Sequence, residues 1–273
     1  MTTLTIVQVV TLTVLFPIVP MLLAQESDRG TALDKKVREF LDAHADQWED
    51  WNVPESDGKL LHDIIIKHGY TKALEIGTST GHSAIWIAWA LSKTGGKLIT
   101  VEVDESRHKK AIENFEKAGL SEYIDARRAD GHELVKELKG PFDFVFSDAD
   151  KAWYKNYLDE IAPKLVVGGC YATHNVSESG DDPFGLRGYV DYLKSLKNGH
   201  GMTPQRSMEV TARHPGNSFD GQNHPMFQKF SERGPGDNPF SKGFAPEDVQ
   251  WNFETTFDEN GAGLAISYKK SAK

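Results

Sequence analysis

Residues 73–91 constrain the fold of this chain more than any other segment. They begin as a short apolar run (ALEI), pass through a loop that contains Gly77 and Gly81, and continue as an amphipathic stretch. This order predicts a strand, a tight loop and a helix, because glycine lets a backbone bend sharply or a ligand come close. The first N–H groups of such a helix point at whatever lies above the strand, which favours a binding site there. The alternative is that the glycines serve packing alone.

An acidic residue follows the glycine loop at an informative distance. Residues 98–102 (LITVE) read as the next strand, with Glu102 at its carboxyl end. An acid about 20 residues past a glycine loop suits the hydroxyls of a ribose held at the crevice of a doubly wound sheet. A dinucleotide site needs a third glycine between Gly77 and Gly81, and Ser79 stands there instead. The loop therefore favours a nucleoside without phosphates over NAD.

Strand and helix patterns alternate along the rest of the chain. Strands separated by helices form a parallel sheet with right-handed crossovers, and residues 251–269 read as a closing hairpin. The sequence thus predicts an α/β fold, a doubly wound, mostly parallel seven-stranded sheet with helices on both faces and a C-terminal antiparallel hairpin. Two further helices are predicted upstream, from a stripe between Leu33 and Trp48 and from a stretch that ends near Gly69. The other predicted strands are 73–76, 97–103, 123–127, 142–147 and 169–173, and the other predicted helices are 83–93, 105–118, 132–138, 153–165 and 186–197.

Four short motifs, in this order, resemble those of the class I S-adenosylmethionine-dependent O-methyltransferases. They are residues 74–83, 99–102, 129–131 and 143–151. The chain is most similar to the cation-dependent branch that contains catechol and caffeoyl-CoA O-methyltransferases, over about residues 51–196 and again from residue 251. The resemblance implies a Rossmann-like methyltransferase fold and S-adenosylmethionine as cofactor. It also implies methyl transfer to a hydroxyl of a small, catechol-like aromatic acceptor.

The resemblance assigns cofactor contacts along the strand ends. Ser83 and the first N–H groups of its helix would hold the methionine carboxylate, Glu102 the ribose, and Asp130 the adenine amino group. Capping of a helix is the alternative role for Ser83 and for Asp130. The expected cofactor contacts are Asn52, Val53, Glu75, Gly77, Ser79, Gly81, Ser83, Glu102, Val103, Asp130, Gly131 and Asp148.

A dense charged group follows residues 142–147, which read as a strand. The resemblance makes Asp148 a catalytic metal ligand and Lys151 the general base that takes a proton from the acceptor hydroxyl. A divalent cation and a sulfonium near a lysine favour its neutral form, because like charges repel. The alternative is an ordinary Lys–Asp pair, with Asp150 nearby, that caps the next helix.

The second metal corner departs from the family pattern. Relatives have Asp-Asn where this chain has His174 and Asn175. Mg²⁺ prefers oxygen ligands, so a set of Asp148, His174 and Asn175 would favour a softer first-row cation. The alternative is that His174 points away, or serves as a second base, and that no cation binds.

Charge and composition limit which partners and functions the chain can have. The net charge of −9, without a basic patch, argues against nucleic acid as a partner. The single cysteine, Cys170, is expected to be a buried small hydrophobe. A homodimer is compatible with the resemblance. The other two functions considered are a cofactor-binding protein without transfer activity and, more weakly, an NAD-dependent oxidoreductase.

Residues 1–24 form an apolar, uncharged segment before a polar stretch, which resembles a signal peptide. A membrane anchor is the alternative, and either would place the protein outside the cytoplasm or on a membrane. A misassigned start codon would instead leave a cytoplasmic protein. The predicted methyltransferase domain then spans residues 25–273. An irregular insertion at about residues 198–247 would be a surface segment or a lid over the site.

Overall fold

The computed structural model describes residues 18–48, 50–180, 182–198 and 251–272. Seven strands in this part form one sheet in the order β3-β2-β1-β4-β5-β7-β6. β1 to β5 pair in parallel, whereas β7 runs antiparallel to both of its neighbours. The predicted sheet and its C-terminal antiparallel hairpin are confirmed. The strands are β1 Lys72–Ile76, β2 Lys97–Glu102, β3 Ile124–Arg128, β4 Phe142–Ser147, β5 Leu165–His174, β6 Trp251–Asp258 and β7 Leu264–Ala272.

Helices begin and end where local chemistry allows it. Gly69 and Gly119 end two of them in the left-handed conformation, with φ of 65° and 80°. The helix ends predicted near Gly69 and at residue 118 are thus confirmed. Asp104 caps another by accepting the N–H of Arg107 at 2.9 Å. The helices of the described residues are α1 Ile18–Ala43, α2 Glu55–His68, α3 His82–Thr94, α4 Glu105–Ala118, α5 Gly131–Glu137, α6 Tyr154–Ile161 and α7 Arg187–Ser195.

The sheet is covered on both faces. Side chains alternate along each strand, so Phe144 and Phe146 of β4 pack in one core while Val145 packs in the other. The first core includes buried residues of α1 to α4, and the second includes those of α5 to α7. Because both faces are buried, the central strands are mostly apolar rather than alternating, with Glu75 and Thr100 as buried exceptions.

The helix predicted near residues 153–165 begins within one residue of the prediction but ends earlier than predicted. α6 spans only Tyr154–Ile161 and is flanked by two 3-10 turns, Lys151–Trp153 and Ala162–Lys164. Pro163 lies in the second turn, where its missing N–H and fixed φ suit a chain that is leaving the helix.

The strand predicted at residues 169–173 is longer than expected. β5 begins at Leu165, and its pairing with β4 shifts register after that residue. Val166 and Val167 are exposed in this irregular stretch, and Gly168 has a φ of 82°. A bulge of this kind breaks the alternation of apolar and polar residues from which a strand is recognised.

The N-terminal segment is described only from residue 18. α1 covers residues 18–24 of the predicted signal or anchor segment, and Pro20 lies in its first turn, where proline is tolerated. Within the described residues, no helix is long and apolar enough to span a bilayer. The remainder of residues 1–24 and nearly all of the predicted insertion lie outside the described residues.

Candidate active site

The candidate site lies at the carboxyl ends of β1, β2, β4 and β5, where the strand order reverses. Such a switch point opens a crevice in doubly wound sheets. The ends of β1 and β4 lie close together there, because the N–H of Asp148 donates to the carbonyl of Ile76 at 2.8 Å. Gly77 has a φ of 101°, and a Cβ at this position would lie 2.8 Å from the carbonyl oxygen of Asp148. The glycine is therefore required for two strand ends to approach each other.

The glycine loop is tied to the segment before α2. Asn52 donates through Nδ2 to Thr80 Oγ1 at 2.7 Å and accepts the N–H of His82 at 3.3 Å. The carbonyl of Val53 contacts His82 Nδ1 at 2.8 Å. The structure thus places Asn52 and Val53 against the loop, and their expected contact with the cofactor stays a prediction. Gly81, which precedes α3, has a φ of 101° and no side chain with which to cap the helix.

His82 is a buried part of this arrangement. Its Nδ1 faces a carbonyl oxygen, and its Nε2 accepts the indole N–H of Trp86 at 3.1 Å, which fixes the tautomer with the proton on Nδ1. Burial lowers the pKa of His82 to about 4, so the ring is neutral at physiological pH. Trp48 stacks on it with ring centroids 4.3 Å apart. The sequence predicted Trp48 on a helix, but α1 ends at Ala43 and Trp48 lies beyond it.

Glu75 is fully buried below the loop. Burial is the largest influence and raises its pKa to about 8, although hydrogen bonds from Ser83 and Thr100 act in the opposite direction. Thr100 Oγ1 donates to Glu75 Oε2 at 2.5 Å. Glu75 is therefore mainly protonated at neutral pH in the free protein, and Ser83 lies beside it at the start of α3.

Glu102 organises the end of β2. Its carboxylate accepts the N–H of Ser79 at 2.8 Å and the N–H of Asp104 at 2.9 Å. The guanidinium of Arg107 lies 3.2 Å from the same side chain. Arg107 was not predicted from the sequence, although its position in the first turn of the next helix was a usable signal. The neighbouring Val103, also an expected cofactor contact, is exposed.

Asp130 caps the N-terminus of α5, which is the alternative role that the sequence offered for it. Its carboxylate accepts the N–H of His132 at 2.9 Å and lies 2.8 Å from Nδ1 of the same residue. The opposite nitrogen of His132 lies 3.4 Å from Asp150. The next residue, Gly131, is closely packed, because a Cβ added there would lie 3.1 Å from the side chain of Ile76. Asp130 thus stands at the end of β3 beside the crevice, where an adenine contact is also expected.

Four charged side chains form a continuous array, defined here as Asp57, His174, Asp148 and Lys151. Lys151 Nζ donates to Asp148 Oδ1 at 2.5 Å, and Asp148 Oδ2 lies 3.1 Å from His174 Nδ1. His174 Nε2 lies 3.0 Å from Asp57 Oδ2. The side chains of Asp57, His174 and Asp148 are exposed by only 2%, 5% and 9%.

Neighbouring charges within the array shift the pKa values of His174 and Asp148. Burial alone would lower the pKa of His174, but the carboxylates of Asp148 and Asp57 outweigh it and raise that pKa to about 9. Burial alone would raise the pKa of Asp148, but Lys151 and His174 hold it below its ordinary value. These shifts favour an ionised Asp148 and a protonated His174.

A profile of the O-methyltransferase family matches residues 25–181 of the chain, which is more than half of its length. The chain belongs to the O-methyltransferase family.

Individual relatives of this chain agree with the family assignment. It is 29% identical over 172 residues to caffeoyl-CoA O-methyltransferase 1 of Zea mays, covering 59% of this chain and 66% of the relative. It is 38% identical over 133 residues to catechol O-methyltransferase of Niastella koreensis, covering 47% of this chain and 60% of the relative. The matches to these two relatives thus span less than two thirds of their lengths.

The fold is shared with a solved methyltransferase from Podospora anserina that contains SAH. The TM-score is 0.53 at 17% identity, covering 90% of this chain and 96% of the other. At that identity, the likeness supports the Rossmann-like methyltransferase fold.

At the expected metal corner, His174 Nε2 pairs with Asp57, whereas Nδ1 is buried 3.1 Å from Asp148 Oδ2 and forms no hydrogen bond. A carboxylate on the other ring nitrogen is the usual partner of a metal-ligating histidine, so Asp148, His174 and Asn175 are the residues that would hold a divalent cation. Asp148 turns one oxygen to Lys151 and the other to His174. Asn175 follows with a φ of 58°. Within the described ranges, no three His, Cys, Asp or Glu side chains are arranged as a metal site.

Proposed function

We propose that this protein transfers the methyl group of S-adenosylmethionine to a hydroxyl of a small, catechol-like aromatic acceptor. The observation that carries the proposal is the meeting of the glycine loop and Glu102 with the Asp148–Lys151 pair at one switch point. Membership of the O-methyltransferase family supports it, as do relatives named for caffeoyl-CoA and catechol methylation.

The residues around the loop fit the cofactor. The start of α3 offers N–H groups that Gly81 leaves uncapped by its own side chain, and these suit a carboxylate. Glu102 stands at the end of β2, where its carboxylate can accept from ribose hydroxyls. Asp130 stands at the end of the neighbouring strand, where it can accept from the adenine amino group. When bound, S-adenosylmethionine supplies a methyl carbon to the acceptor oxygen, and the electron pair of the broken C–S bond stays on sulfur.

Lys151 is the proposed base, and its neutral amine would take the acceptor proton and become an ammonium, since only the neutral form has a lone pair. Its nitrogen donates to Asp148 Oδ1 at 2.5 Å, which fixes the side chain at the mouth of the crevice. The same nitrogen lies 5.2 Å from the ring centre of Tyr154 and 5.7 Å from that of Phe184. Aromatic rings beside the base favour a flat aromatic acceptor, because rings stack and pack well against one another.

Calorimetry and a transfer assay test this proposal together. We expect SAH, which is S-adenosylhomocysteine, to bind and NAD not to bind. We expect methyl transfer to at least one member of a panel of catechols and related phenols. Binding of NAD with no binding of SAH would overturn the cofactor assignment.

A second function is favoured by one observation. The corner that the resemblance assigns to a metal contains His174 here, with Nε2 paired with Asp57 and Nδ1 lying 3.1 Å from Asp148. A protein that binds the cofactor without transferring its methyl group could arise from such a change. Binding of SAH together with no transfer to any acceptor would support this second function.

A further inference from the structure

We infer that Glu259, on the turn between β6 and β7, is a positioning residue that shapes the acceptor side of the site. It acts through the segment that follows β5, defined here as the acceptor loop, residues 177–180 and 182–186. The inference rests on the proposed function, because the acceptor loop affects catalysis only if an acceptor binds beside Lys151.

Glu259 accepts four hydrogen bonds from the start of the acceptor loop. Its Oε1 accepts the hydroxyl of Ser177 at 2.9 Å and the N–H groups of Glu178 and Ser179, each at 3.0 Å. Its Oε2 accepts the hydroxyl of Ser179 at 2.7 Å. Hydrogen bonds to a charged acceptor are stronger than those between neutral groups. One carboxylate therefore holds the first turn of the loop.

These hydrogen bonds also keep Glu259 ionised. The hydroxyl of Ser179 is the largest influence, and together with the other donors it lowers the pKa of Glu259 to about 2. The carboxylate is therefore charged at any pH near neutrality. The contact between Glu259 and the loop is a permanent part of the fold in that range.

The turn that carries Glu259 is itself attached to the site. The N–H of Ala262 donates to Asp57 Oδ2 at 3.0 Å, and the carbonyl of Gly263 accepts the N–H of Val176 at 3.2 Å. The turn is thus bound both to the first turn of α2 and to the residues just past β5. Glu259 therefore extends towards the loop from a fixed support.

The other end of the acceptor loop lies against the proposed base. The ring centre of Phe184 is 5.7 Å from Lys151 Nζ. Between the two ends, Arg187 donates to the carbonyls of Glu178 at 2.6 Å and of Gly180 at 3.2 Å. Only a few residues separate these carbonyls from Phe184. Release of the first turn would therefore loosen the ring against which an aromatic acceptor is expected to pack.

Amide hydrogen exchange of the full-length protein tests this contact without turnover. We expect Glu259→Ala to speed exchange at least fivefold at residues 178–180, because two N–H groups lose their acceptor. Glu259→Gln keeps a neutral acceptor and should give an intermediate rate. Glu254→Gln, an exposed change on β6 that breaks an ion pair with Lys270, is the matched control and should leave exchange unchanged. Equal exchange in Glu259→Ala and the wild type would overturn the inference.

Calorimetry of the SAH-loaded protein with catechol, or with the best-bound phenol of the panel, tests the effect on the acceptor. We expect Glu259→Ala to weaken acceptor binding at least fivefold, whereas SAH affinity should stay within twofold. The proposed cofactor contacts Glu102 and Asp130 stand at other strand ends. In kinetics, the same variant should raise the acceptor KM more than it lowers kcat. Faster exchange with unchanged acceptor affinity, or an equal loss of SAH affinity, would contradict the inference.

A double-mutant cycle tests whether Glu259 acts through Phe184. Phe184→Ala removes the ring beside Lys151 and should also weaken acceptor binding. We expect the double variant Glu259→Ala/Phe184→Ala to bind the acceptor within about twofold of Phe184→Ala alone, because two residues that act as one unit are not additive. Additive losses would show that Glu259 does not act through this ring.

The same binding measurements separate this inference from the proposed function. If the wild type transfers the methyl group and Glu259→Ala binds and methylates the acceptor equally well, the inference fails and the proposed function stands. If the wild type transfers nothing but binds catechol, and Glu259→Ala weakens that binding, the proposed function fails and the positioning role stands. If the wild type binds no member of the panel, both fail.

Discussion

Glu75→Gln should make the protein more stable at neutral and alkaline pH. Glu75 is fully buried, and its pKa is raised from 4.5 to about 8, chiefly by burial and also by the nearby charges of Asp148 and Glu102. Between these two pH values the unfolded chain loses the proton while the folded protein keeps it. The stability contribution is therefore fully present below pH 4.5 and is lost as the pH rises towards about 8.

The size of the effect follows from the same two values. Each pH unit in this window removes about 1.4 kcal/mol, so the full window corresponds to about 5 kcal/mol. Glutamine does not titrate, and its amide oxygen can still accept the hydroxyl of Thr100 that bonds to Glu75 at 2.5 Å. The advantage of the variant should grow by about 1.4 kcal/mol per pH unit between pH 5 and 8.

Urea unfolding of both proteins at several pH values between 5 and 8.5 measures this difference. Other titrating groups, such as His174 and His82, are present in both proteins and cancel in the comparison. Glu116→Gln, an exposed change on α4, is the control and should show a difference that does not vary with pH. A flat difference for Glu75→Gln would mean that Glu75 ionises normally in the folded protein, and the reasoning would fail.

Three further predictions concern the site. Glu102→Ala should weaken SAH binding in calorimetry, since each lost charge-assisted hydrogen bond is worth ~1.5–3 kcal/mol, and unchanged affinity would place the ribose elsewhere. Lys151→Met should lower turnover by ~10²-fold or more while SAH affinity holds. Lys155→Met, which breaks an ion pair with Asp159 instead, is its control. Gly77→Ala should destabilise the fold by at least about 1–3 kcal/mol, because of its φ of 101° and the backbone of Asp148 beside it, and an unchanged unfolding midpoint would contradict this.

The sequence predicted those parts of the fold and site that depend on local pattern. The apolar run before Gly77, the helix after Gly81 and the acid at Glu102 lie within one strand–helix–strand unit, so their order along the chain places them in space. The same holds for Asp148 and Lys151, which lie three residues apart and form the predicted pair. Gly69 and Gly119 ended their helices for the same local reason.

The sequence did not predict the features that depend on distant partners. Asp57 was missed because its partner His174 lies 117 residues later in the chain. On the sequence alone Asp57 reads as an ordinary acid in the first turn of a helix. The role of His174 was left open for the same reason, since nothing in the neighbouring residues shows that both of its nitrogens face carboxylates.

The central claim is methyl transfer from S-adenosylmethionine to a small aromatic hydroxyl, and a labelled-methyl assay tests it most directly. The full-length protein would be incubated with S-adenosylmethionine that carries a labelled methyl group, together with catechol or one of its relatives. The account predicts a labelled methyl ether and an equal amount of S-adenosylhomocysteine. No labelled product from any acceptor in the panel, with or without added Mg²⁺ or Mn²⁺, would contradict it.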